Sequence, residues 1–395
     1  MDFRFSAPEE AFRREIRDFI HTEIPLELRW SERVAHTDAL WPSVCYALKK
    51  LAERGWLTMH WPREYGGQGV SPVVQMLFRE EMVYWGLPEC VANPDGPNLI
   101  GPTIIRNGSD HLKQTFLPSI ARAEAFWCQG YTEPASGSDL AGLRTNAVED
   151  GDHFIVSGQK DYNSGSARAD WVHLLVSTDP NAPRHRGISY IAVDMHSPGV
   201  KLRGLPEAND RSGWLNEIFF DEVRVPKENL IGEKDKGWPL AMEMLNRARG
   251  GIEYYARSKR VLDDLVEYAN ATVRDGRPLI QGLDVQRTLG EMATGIEACR
   301  LASYRVAWLR EQGHHPIHEA SMSKLLGSEM WQRVTDLALQ VMGLYGPLEP
   351  GSPGAPLAGR IEDAYVSSVA NTIHLGTSEI QRNIIAQRGL GMPRE

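Results

Sequence analysis

The segment from Gly130 to Gly142, GYTEPASGSDLAG, combines small residues, hydroxyl groups and two carboxylates in a short stretch of the chain. Small residues let a backbone approach a flat or charged ligand closely, and hydroxyl and free N–H groups form hydrogen bonds with it. An ordinary turn rarely needs so many constrained positions together. The composition of this segment therefore predicts a ligand-binding loop at the rim of a β domain.

The elements that would position this loop change in type along the chain. Apolar residues have mostly helical spacing over residues 1–125, and this spacing returns after Gly237. The residues between them contain short apolar or alternating runs separated by Gly, Pro, Asn and Asp, which are typical of antiparallel strands. These runs are His153–Val156, Trp171–Val176, Ile188–Val193 and Ile218–Phe220. We therefore predict an α+β fold with an N-terminal helical domain (1–125), a middle antiparallel β domain (126–236) and a C-terminal helical bundle (237–395).

Composition and charge exclude several classes of function. The 395 residues are 42% hydrophobic and 24% charged, as in ordinary globular proteins, and the net charge of −9 gives no general attraction to nucleic acid or anionic membranes. No signal peptide or membrane span is apparent, so we expect a cytoplasmic protein that binds neither nucleic acid nor membrane. The absence of a GxGxxG motif and of a βαβ rhythm argues against a nicotinamide-binding Rossmann domain.

The cysteine and histidine residues do not predict a metal site. The four cysteines lie far apart and form no C-x-x-C pair, which also fits a reducing compartment better than a disulfide framework. His314, His315 and His318 lie near a Gly and a Pro without a clear partner cluster, which favours a solvated loop. We therefore expect no structural metal.

Gly130–Gly142 and four later motifs together resemble the acyl-CoA dehydrogenase family in their order and spacing. The later motifs are Gly158–Lys160, Ala169–Trp171, Phe220–Pro226 and Gly376–Arg382, and the resemblance covers almost the whole chain. It implies the helical–β–helical fold of this family, FAD as cofactor and an acyl-CoA as substrate. It also implies electron-transferring flavoprotein as the electron acceptor and a homotetramer, with a homodimer or a heteromer with a paralogue as alternatives.

The resemblance assigns ligand-binding roles to individual positions. The positions implied to contact FAD are Tyr131, Thr132, Tyr162, Ser164, Arg274, Gln340, Gly343, Thr377 and Glu379. Those implied to contact the CoA thioester are Ser138, Asn246 and Arg249. Two of these residues also have a structural interpretation, since Arg274 can be a solvated surface arginine and Arg249 can form an ion pair near its own helix.

Two of these positions depart from the usual family pattern. Tyr131 stands where the family usually has an aliphatic residue. Arg274 is followed by Asp-Gly-Arg instead of the usual aromatic residue and glycine. The first departure lies at a position implied to contact the flavin, and the second lies directly after one, since Arg274 itself matches the family arginine.

The largest departure concerns the catalytic base. Family members remove a proton from the acyl α-carbon and transfer a hydride from the β-carbon to the flavin, and the usual base is a Glu where this chain has Leu375. The alternate family position is Ala248, which also lacks a carboxylate. The backbone N–H of Leu375 can still bind the thioester carbonyl, as the resemblance implies, because this contact does not depend on the side chain.

A different residue is needed to remove the proton, since a positioned base contributes ~10²–10⁴-fold to the rate. The first candidate is Asp95, in the break NPDGPN between N-terminal helices, because some relatives that act on cyclic acyl-CoAs use an Asp from this region. Pro-Asp-Gly is also a common turn sequence. Glu253 and His374 are the other candidates.

Three functions stay open at this stage. The first is an FAD-dependent acyl-CoA dehydrogenase with a relocated base, acting on a branched, cyclic or otherwise bulky acyl group. The second is a base-less subunit that pairs with a base-bearing paralogue. The third is a flavin monooxygenase or oxidase on the same fold, against which the CoA-loop position of Ser138 argues. We predict the first.

Overall fold

The structure is a computed structural model that describes residues 4–30, 32, 34–208 and 213–393. The chain forms two compact units, which we name by their main content. The helical unit comprises Met1–Ile24, Ser71–Leu87 and Arg249–Glu395, and the sheet unit comprises Pro25–Val70 and Pro88–Ala248. The α-helices in chain order are α1 Ala7–Thr22, α2 Trp41–Glu53, α3 Pro72–Tyr84, α4 Glu89–Ala92, α5 Gly101–Asn107, α6 Asp110–Ala121, α7 Gly237–Ala248, α8 Ile252–Ala271, α9 Leu283–Glu311, α10 Ile317–Met342, α11 Arg360–Asn371 and α12 Ser378–Ile384.

The helical unit contains α1, α3 and α8–α12 around one apolar core. Completely buried residues from α8, α9 and α10, such as Leu265, Met292 and Val334, meet in this core. Its second cohesive element is an ion-pair network: Arg17 on α1 donates two hydrogen bonds of 2.8 Å to buried Glu81 on α3. The helices therefore form a bundle in which both apolar packing and buried charge pairs fix the contacts.

The sheet unit is built on seven strands. They are β1 Trp127–Gly130, β2 Asn146–Asp150, β3 His153–Ser164, β4 Trp171–Ser177, β5 Ile188–Asp194, β6 Val200–Gly204 and β7 Leu215–Pro226. The main path of the sheet is β1-β4-β2-β3-β7-β6. Strand β5 lies off this path and pairs with β4 in antiparallel orientation. The four predicted runs all lie in strands. The pairing of β1 with β4 is parallel, so the sheet is mostly, but not wholly, antiparallel.

A buried ion pair in the sheet unit anchors the Gly130–Gly142 loop. The ammonium of Lys160 on β3 donates to the Glu133 carboxylate at 2.8 Å and to the Tyr131 carbonyl at 3.1 Å. Glu133 also accepts the backbone N–H groups of Arg144 and Thr145. Burial lowers the pKa of Lys160 to about 8, although the Glu133 carboxylate opposes this effect. The predicted ligand loop is thus fixed to the sheet by its own acidic residue.

The predicted break NPDGPN is present in the sheet unit. The short helix α4 ends at Ala92, and a single π-helical turn, Gly96–Ile100, follows before α5 begins. Asp95 lies directly before this π-turn. Such turns are rare and occur frequently at functional sites. The proposed division of the chain at residues 125 and 236 stays a prediction.

Candidate active site

The turn between α11 and α12 in the helical unit has an unusual backbone. We call residues 372–377 the Leu375 turn. Leu375 has a φ of +55° and Gly376 a φ of +92°. The left-handed conformation costs a residue with a Cβ roughly 1–2 kcal/mol, so it persists only where the surroundings enforce it. Here the Leu375 carbonyl accepts hydrogen bonds from Arg249 Nε at 3.1 Å and from Gln381 Nε2 at 3.0 Å.

The same turn leaves backbone donors unused. Within the part of the chain that the structure describes, the N–H groups of Leu375, Gly376 and Thr377 have no hydrogen-bond acceptor. Consecutive N–H groups of this kind can bind a carbonyl oxygen or an anion. The geometry of the turn therefore fits the predicted task of Leu375, which is to bind a carbonyl through its backbone N–H.

The residues around the turn offer few choices of base. The side chain at 375 is aliphatic, and so is that of Ala248. His374 is exposed, and its Nε2 lies 3.2 Å from the amide oxygen of Asn371. Glu253, in the first turn of α8, has a buried Oε2 without a hydrogen-bond partner among the described residues. Glu253 is therefore the alternative carboxylate in the helical unit.

Asp95 in the sheet unit has the environment expected of a base. It is only partly accessible to solvent, and no hydrogen bond to its carboxylate occurs among the described residues. Burial, with a smaller contribution from the charge of Glu89, raises the pKa of Asp95 from 3.8 to about 7. A carboxylate of this pKa holds a proton reversibly near neutral pH, which is what general base catalysis requires. Residues with strongly shifted pKa values are candidates for functional roles.

Close packing beside Asp95 limits what can occupy the next position. A Cβ on Gly96 would lie 3.2 Å from Ile120 Cγ2 and 3.3 Å from Trp127 Cδ1. The indole Nε1 of Trp127 is buried and has no acceptor among the described residues. The residue that follows Asp95 is thus closely packed. Burial raises the pKa of three other groups, and the charge of Asp95 itself adds to this effect. These groups are Cys128, Tyr131 and Tyr190.

Tyr131 belongs to a buried polar network within the sheet unit. Its hydroxyl donates to the Tyr190 hydroxyl at 3.0 Å, and the Tyr190 hydroxyl lies 2.6 Å from Nδ1 of His173. Burial lowers the pKa of His173 to about 3, so the imidazole is neutral. It raises the pKa of both phenols. The departure from an aliphatic residue at 131 is therefore accommodated by two polar partners that the sequence analysis did not identify.

Two residues of the sheet unit present groups suited to a flat ligand. Tyr162 has a φ of +56° at an irregularity in β3, and 64% of its surface is exposed. Ser164, two positions further, is also exposed. Thr132 accepts the N–H of Asp161 at 2.8 Å, while its own N–H has no acceptor among the described residues. An exposed aromatic ring and an unused N–H fit a flavin ring system.

Arg274 in the helical unit is held by a two-residue hairpin. Strands β8 Val273–Arg274 and β9 Arg277–Pro278 pair antiparallel, and the connecting Asp275 and Gly276 both have positive φ. Asp-Gly is a preferred sequence for such turns. Arg274 Nη2 lies 3.4 Å from the Met342 carbonyl, and a Cβ on Gly343 would come within 3.3 Å of it. The structure therefore brings Arg274 and Gly343 together.

The remaining predicted ligand residues have simpler environments. Gln340 is exposed and donates to Asp336 at 2.9 Å, and Glu379 is also exposed. Ser138 is exposed on the loop, and Asn246 is partly buried. Arg249 is buried and donates to the Leu375 carbonyl. The roles of all these residues as ligands stay predictions.

The structure adds two facts about metals and membranes. No group of three or more His, Cys, Asp or Glu side chains suited to a metal ion occurs within the described ranges. None of the helices that the structure describes combines the length and apolar character needed to cross a membrane.

Comparison with known proteins gives matches along nearly the whole chain. The family models Acyl-CoA dehydrogenase, N-terminal, middle and C-terminal domain, match residues 6–124, 128–223 and 235–390. Acyl-CoA dehydrogenase IpdE1 of Mycobacterium tuberculosis is 36% identical over 355 residues, 88% of this chain and 87% of that protein.

Two similar solved structures are described as pairs of proteins. One, Tcur3481-Tcur3483 steroid ACAD, has a TM-score of 0.90 and 32% identity, covering 100% of both chains. The other, the ChsE4-ChsE5 complex from Mycobacterium tuberculosis, has a TM-score of 0.89 and 33% identity, also covering 100% of both chains.

The raised pKa of Asp95 predicts a specific dependence of stability on pH. Between about pH 4 and pH 7 the folded protein retains a proton on Asp95 that the unfolded chain has lost, so this group lowers the free energy of unfolding as the pH rises. We expect Asp95→Asn to raise the free energy of unfolding at about pH 8, with a smaller gain at about pH 5. Urea unfolding at both pH values measures this difference. Glu89→Gln should act in the same direction but more weakly, and equal effects of Asp95→Asn at both pH values would contradict the assignment.

Proposed function

The chain belongs to the acyl-CoA dehydrogenase family, and we propose that it desaturates an acyl-CoA thioester between Cα and Cβ with Asp95 as the base. Membership of the family makes it an oxidoreductase that acts on CH–CH bonds. The observation that carries the choice of base is the half-buried Asp95 carboxylate, which has no hydrogen-bond partner among the described residues and a pKa of about 7. The usual carboxylate position holds Leu375.

The proposal assigns the two tasks of α-proton removal, polarisation of the carbonyl and acceptance of the proton, to two residues. The α-proton of a thioester is too weakly acidic for water to remove, so the carbonyl must be polarised and a base must meet the proton. The unpaired Leu375 N–H supplies a hydrogen bond to the carbonyl oxygen. Asp95, deprotonated above about pH 7, accepts the proton.

The chain has residues suited to hold FAD, which supplies the hydride acceptor when bound. In the sheet unit the exposed Tyr162 ring and the Thr132 N–H support binding of the ring system, with Tyr131 and Ser164 as neighbouring positions. In the helical unit the Arg274 guanidinium beside Gly343 supports binding of a phosphate. Gln340, Thr377 and Glu379 complete the proposed flavin positions. Ser138, Asn246 and Arg249 are proposed for the CoA thioester.

We extend the proposal to a ring-bearing acyl group. The support is the Tcur3481-Tcur3483 steroid ACAD, which covers the whole chain at 32% identity. A rigid ring system cannot adapt its shape to the protein. The base must therefore lie where the bound ring system presents its α-proton. A base on a segment other than the Leu375 turn is consistent with such a substrate.

A second candidate, a subunit that pairs with a base-bearing paralogue, is favoured by a separate observation. Both structural relatives described above are named as two different proteins. In addition, apolar side chains on and near α10 and α11 are exposed in the helical unit, which suits packing against another subunit. These residues are Met322, Leu326, Tyr365, Val369 and Ile373. Whether the assembly is a homotetramer, a homodimer or a heteromer is part of this proposal.

Electron-transferring flavoprotein as the acceptor and a cytoplasmic location remain family-based proposals. No specific observation on the described residues favours the monooxygenase or oxidase alternative.

The first functional prediction concerns Asp95. In the purified chain loaded with FAD, Asp95→Asn should slow anaerobic bleaching of the flavin by a ring-bearing acyl-CoA about 10²-fold or more, because the proton acceptor is lost. Stopped-flow absorption at the flavin maximum measures the rate, and flavin content checks the fold. Glu253→Gln and His374→Asn are the matched controls and should keep most of the rate. A normal rate for Asp95→Asn, with a slow Glu253→Gln, would transfer the role to Glu253.

Failure of the wild-type chain to bleach alone would favour the second candidate. Recovery of bleaching after addition of a homologous, base-bearing chain would then identify this protein as one half of a pair. The two candidate functions can be distinguished in this way, because the first predicts bleaching by the single purified chain and the second predicts bleaching only after a second chain is added.

The second functional prediction concerns residue 375. In the Asp95→Asn background, Leu375→Glu should raise the bleaching rate with a straight-chain acyl-CoA about 10-fold or more, because it restores a carboxylate at the usual family position. Leu375→Gln has nearly the same size and no base, and serves as the control. Equal rates for the Glu and Gln variants would show that the Leu375 turn does not face the α-proton.

A further inference from the structure

The helical unit contains a buried lysine that has no carboxylate partner among the described residues. Lys324 on α10 is 1% exposed. Its ammonium donates to the backbone carbonyl of Asn371 at 2.9 Å and to that of Gly376 at 3.0 Å. No ion pair to Lys324 within 4 Å occurs in the part of the chain that the structure describes. A buried charge without a counter-ion is costly, so a compensating interaction or a function is expected at this position.

The position of Lys324 explains how the charge is tolerated. Asn371 is the last residue of α11, and the end of a helix carries partial negative charge on its unpaired carbonyl groups. The ammonium therefore neutralises the C-terminus of α11. Burial, with a smaller contribution from the positive charge of Arg249, lowers the pKa of Lys324 to about 8, while Glu329 and Glu379 act in the opposite direction.

The contact with Gly376 goes beyond capping of α11. Gly376 lies five positions past the end of that helix, inside the Leu375 turn. Its carbonyl accepts a second hydrogen bond from Gln381 Nε2 at 3.0 Å, and Gln381 and Arg249 together bond the carbonyl of Leu375. Lys324 thus ties the helix end and the turn together through one ammonium group.

All of these donors act on carbonyl groups, while the adjacent N–H groups stay unused. Rotation of the Leu375 turn to satisfy those N–H groups internally would break the bonds from Lys324, Gln381 and Arg249. Hydrogen bonds from charged donors are about twice as strong as those from neutral donors, so the two cations dominate this constraint. A donor on the Gly376 carbonyl also polarises the peptide group that carries the Thr377 N–H.

We propose that Lys324 is a positioning residue for the reaction, which holds the Leu375 turn in its left-handed form and thereby keeps the Leu375 N–H available for the thioester carbonyl. The inference rests on the proposed function, because it assumes that this N–H binds substrate. Lys324 itself touches neither the substrate nor the reacting atoms. Its effect reaches them through the two carbonyl groups that it bonds.

The first test is hydrogen–deuterium exchange of the purified, flavin-loaded protein, followed by mass spectrometry of peptides that cover residues 372–378. Lys324→Met keeps the length of the side chain but removes the donor. We expect the amide of Ser378, which donates to the Thr372 carbonyl across the turn at 2.9 Å, to exchange about 10-fold faster or more. Lys324→Arg keeps the charge and should retain most of the protection. Lys50→Met, at a surface ion pair of the sheet unit, is the control for the substitution and should leave residues 372–378 unchanged.

Exchange also separates positioning from capping alone. If Lys324 served only as the cap of α11, Lys324→Met would speed exchange in the last turn of α11 without an effect on the amide of Ser378, which closes the Leu375 turn. That result would overturn the proposal. General acceleration of exchange in α9 and α10 would indicate that Lys324→Met is unfolded, and Lys324→Arg is then the deciding variant. If Lys324→Arg restores both the protection from exchange and the rate of flavin reduction, the positioning role is supported. If it restores folding but not flavin reduction, the role is contradicted.

The second test measures the reaction. In stopped-flow experiments with an acyl-CoA, Lys324→Met should lower the limiting rate of flavin reduction about 10-fold or more, with a smaller change in the thioester dissociation constant, and Lys324→Arg should recover most of the rate. An unchanged limiting rate in Lys324→Met would overturn the inference while leaving the proposed function intact. Absence of bleaching by every thioester in the wild type would remove the proposed function, and the positioning role would fall with it.

Discussion

The carbonyl groups of Asn371, Leu375 and Gly376 accept hydrogen bonds from three buried side chains, and this constraint determines the shape of the Leu375 turn. Lys324 comes from α10, Gln381 from α12, and Arg249 from the segment directly before α8. Each of these side chains reaches the turn only if its helix packs in the observed place. The left-handed conformation of the Leu375 turn is therefore held by hydrogen bonds from these side chains and does not depend on which side chain stands at position 375. This explains how a leucine can occupy a position where the family usually has a glutamate.

The sheet unit carries the complementary feature, a carboxylate that lacks a hydrogen-bond partner. The π-turn Gly96–Ile100 interrupts the helical path directly after Asp95, and desolvation of this carboxylate, with a smaller contribution from the charge of Glu89, raises its pKa. A half-buried carboxylate that has no hydrogen-bond partner among the described residues lowers the stability of the folded protein, as the left-handed conformation of Leu375 also does. Such features persist in proteins where function requires them. The two features that lower stability, the Asp95 carboxylate and the left-handed Leu375, match the two tasks that α-proton removal requires. The proposed function depends on this match.

The sequence patterns predicted the elements better than their long-range relations. Apolar periodicity and turn residues identified the helices, the four strand runs and the break at Asp95, because each depends on neighbours in the chain. The parallel pairing of β1 with β4 depends on partners far apart in sequence, so no local pattern indicates it. The hairpin that presents Arg274 had a readable signal, the Asp-Gly pair, which the comparison with the family pattern treated only as a departure.

Residues of the candidate site that belong to a sequence motif could be predicted, whereas residues that act through hydrogen bonds to the backbone could not. The family motifs led to Leu375, Tyr162 and Arg274, whose ligand roles stay predictions. Lys324 and Gln381 bond main-chain carbonyls, and since every residue has a carbonyl, such contacts leave no pattern in the partner sequence. A lysine within the small and apolar run Ala320–Gly327 was the one available signal. In the same way, the Tyr190 and His173 partners of Tyr131 became visible only when the strands were assembled.

The central claim is that the half-buried Asp95 carboxylate, with a pKa of about 7, replaces the missing glutamate, and the pH dependence of flavin reduction tests it most directly. The measurement is the limiting rate of anaerobic bleaching of the wild-type, FAD-loaded chain by a saturating ring-bearing acyl-CoA between about pH 5.5 and pH 7.5. The account predicts that the rate rises with pH, through a single ionisation in the enzyme–substrate complex, because only deprotonated Asp95 accepts the α-proton. A rate that is constant over this range, or a chain that bleaches only with a second protein, would contradict it.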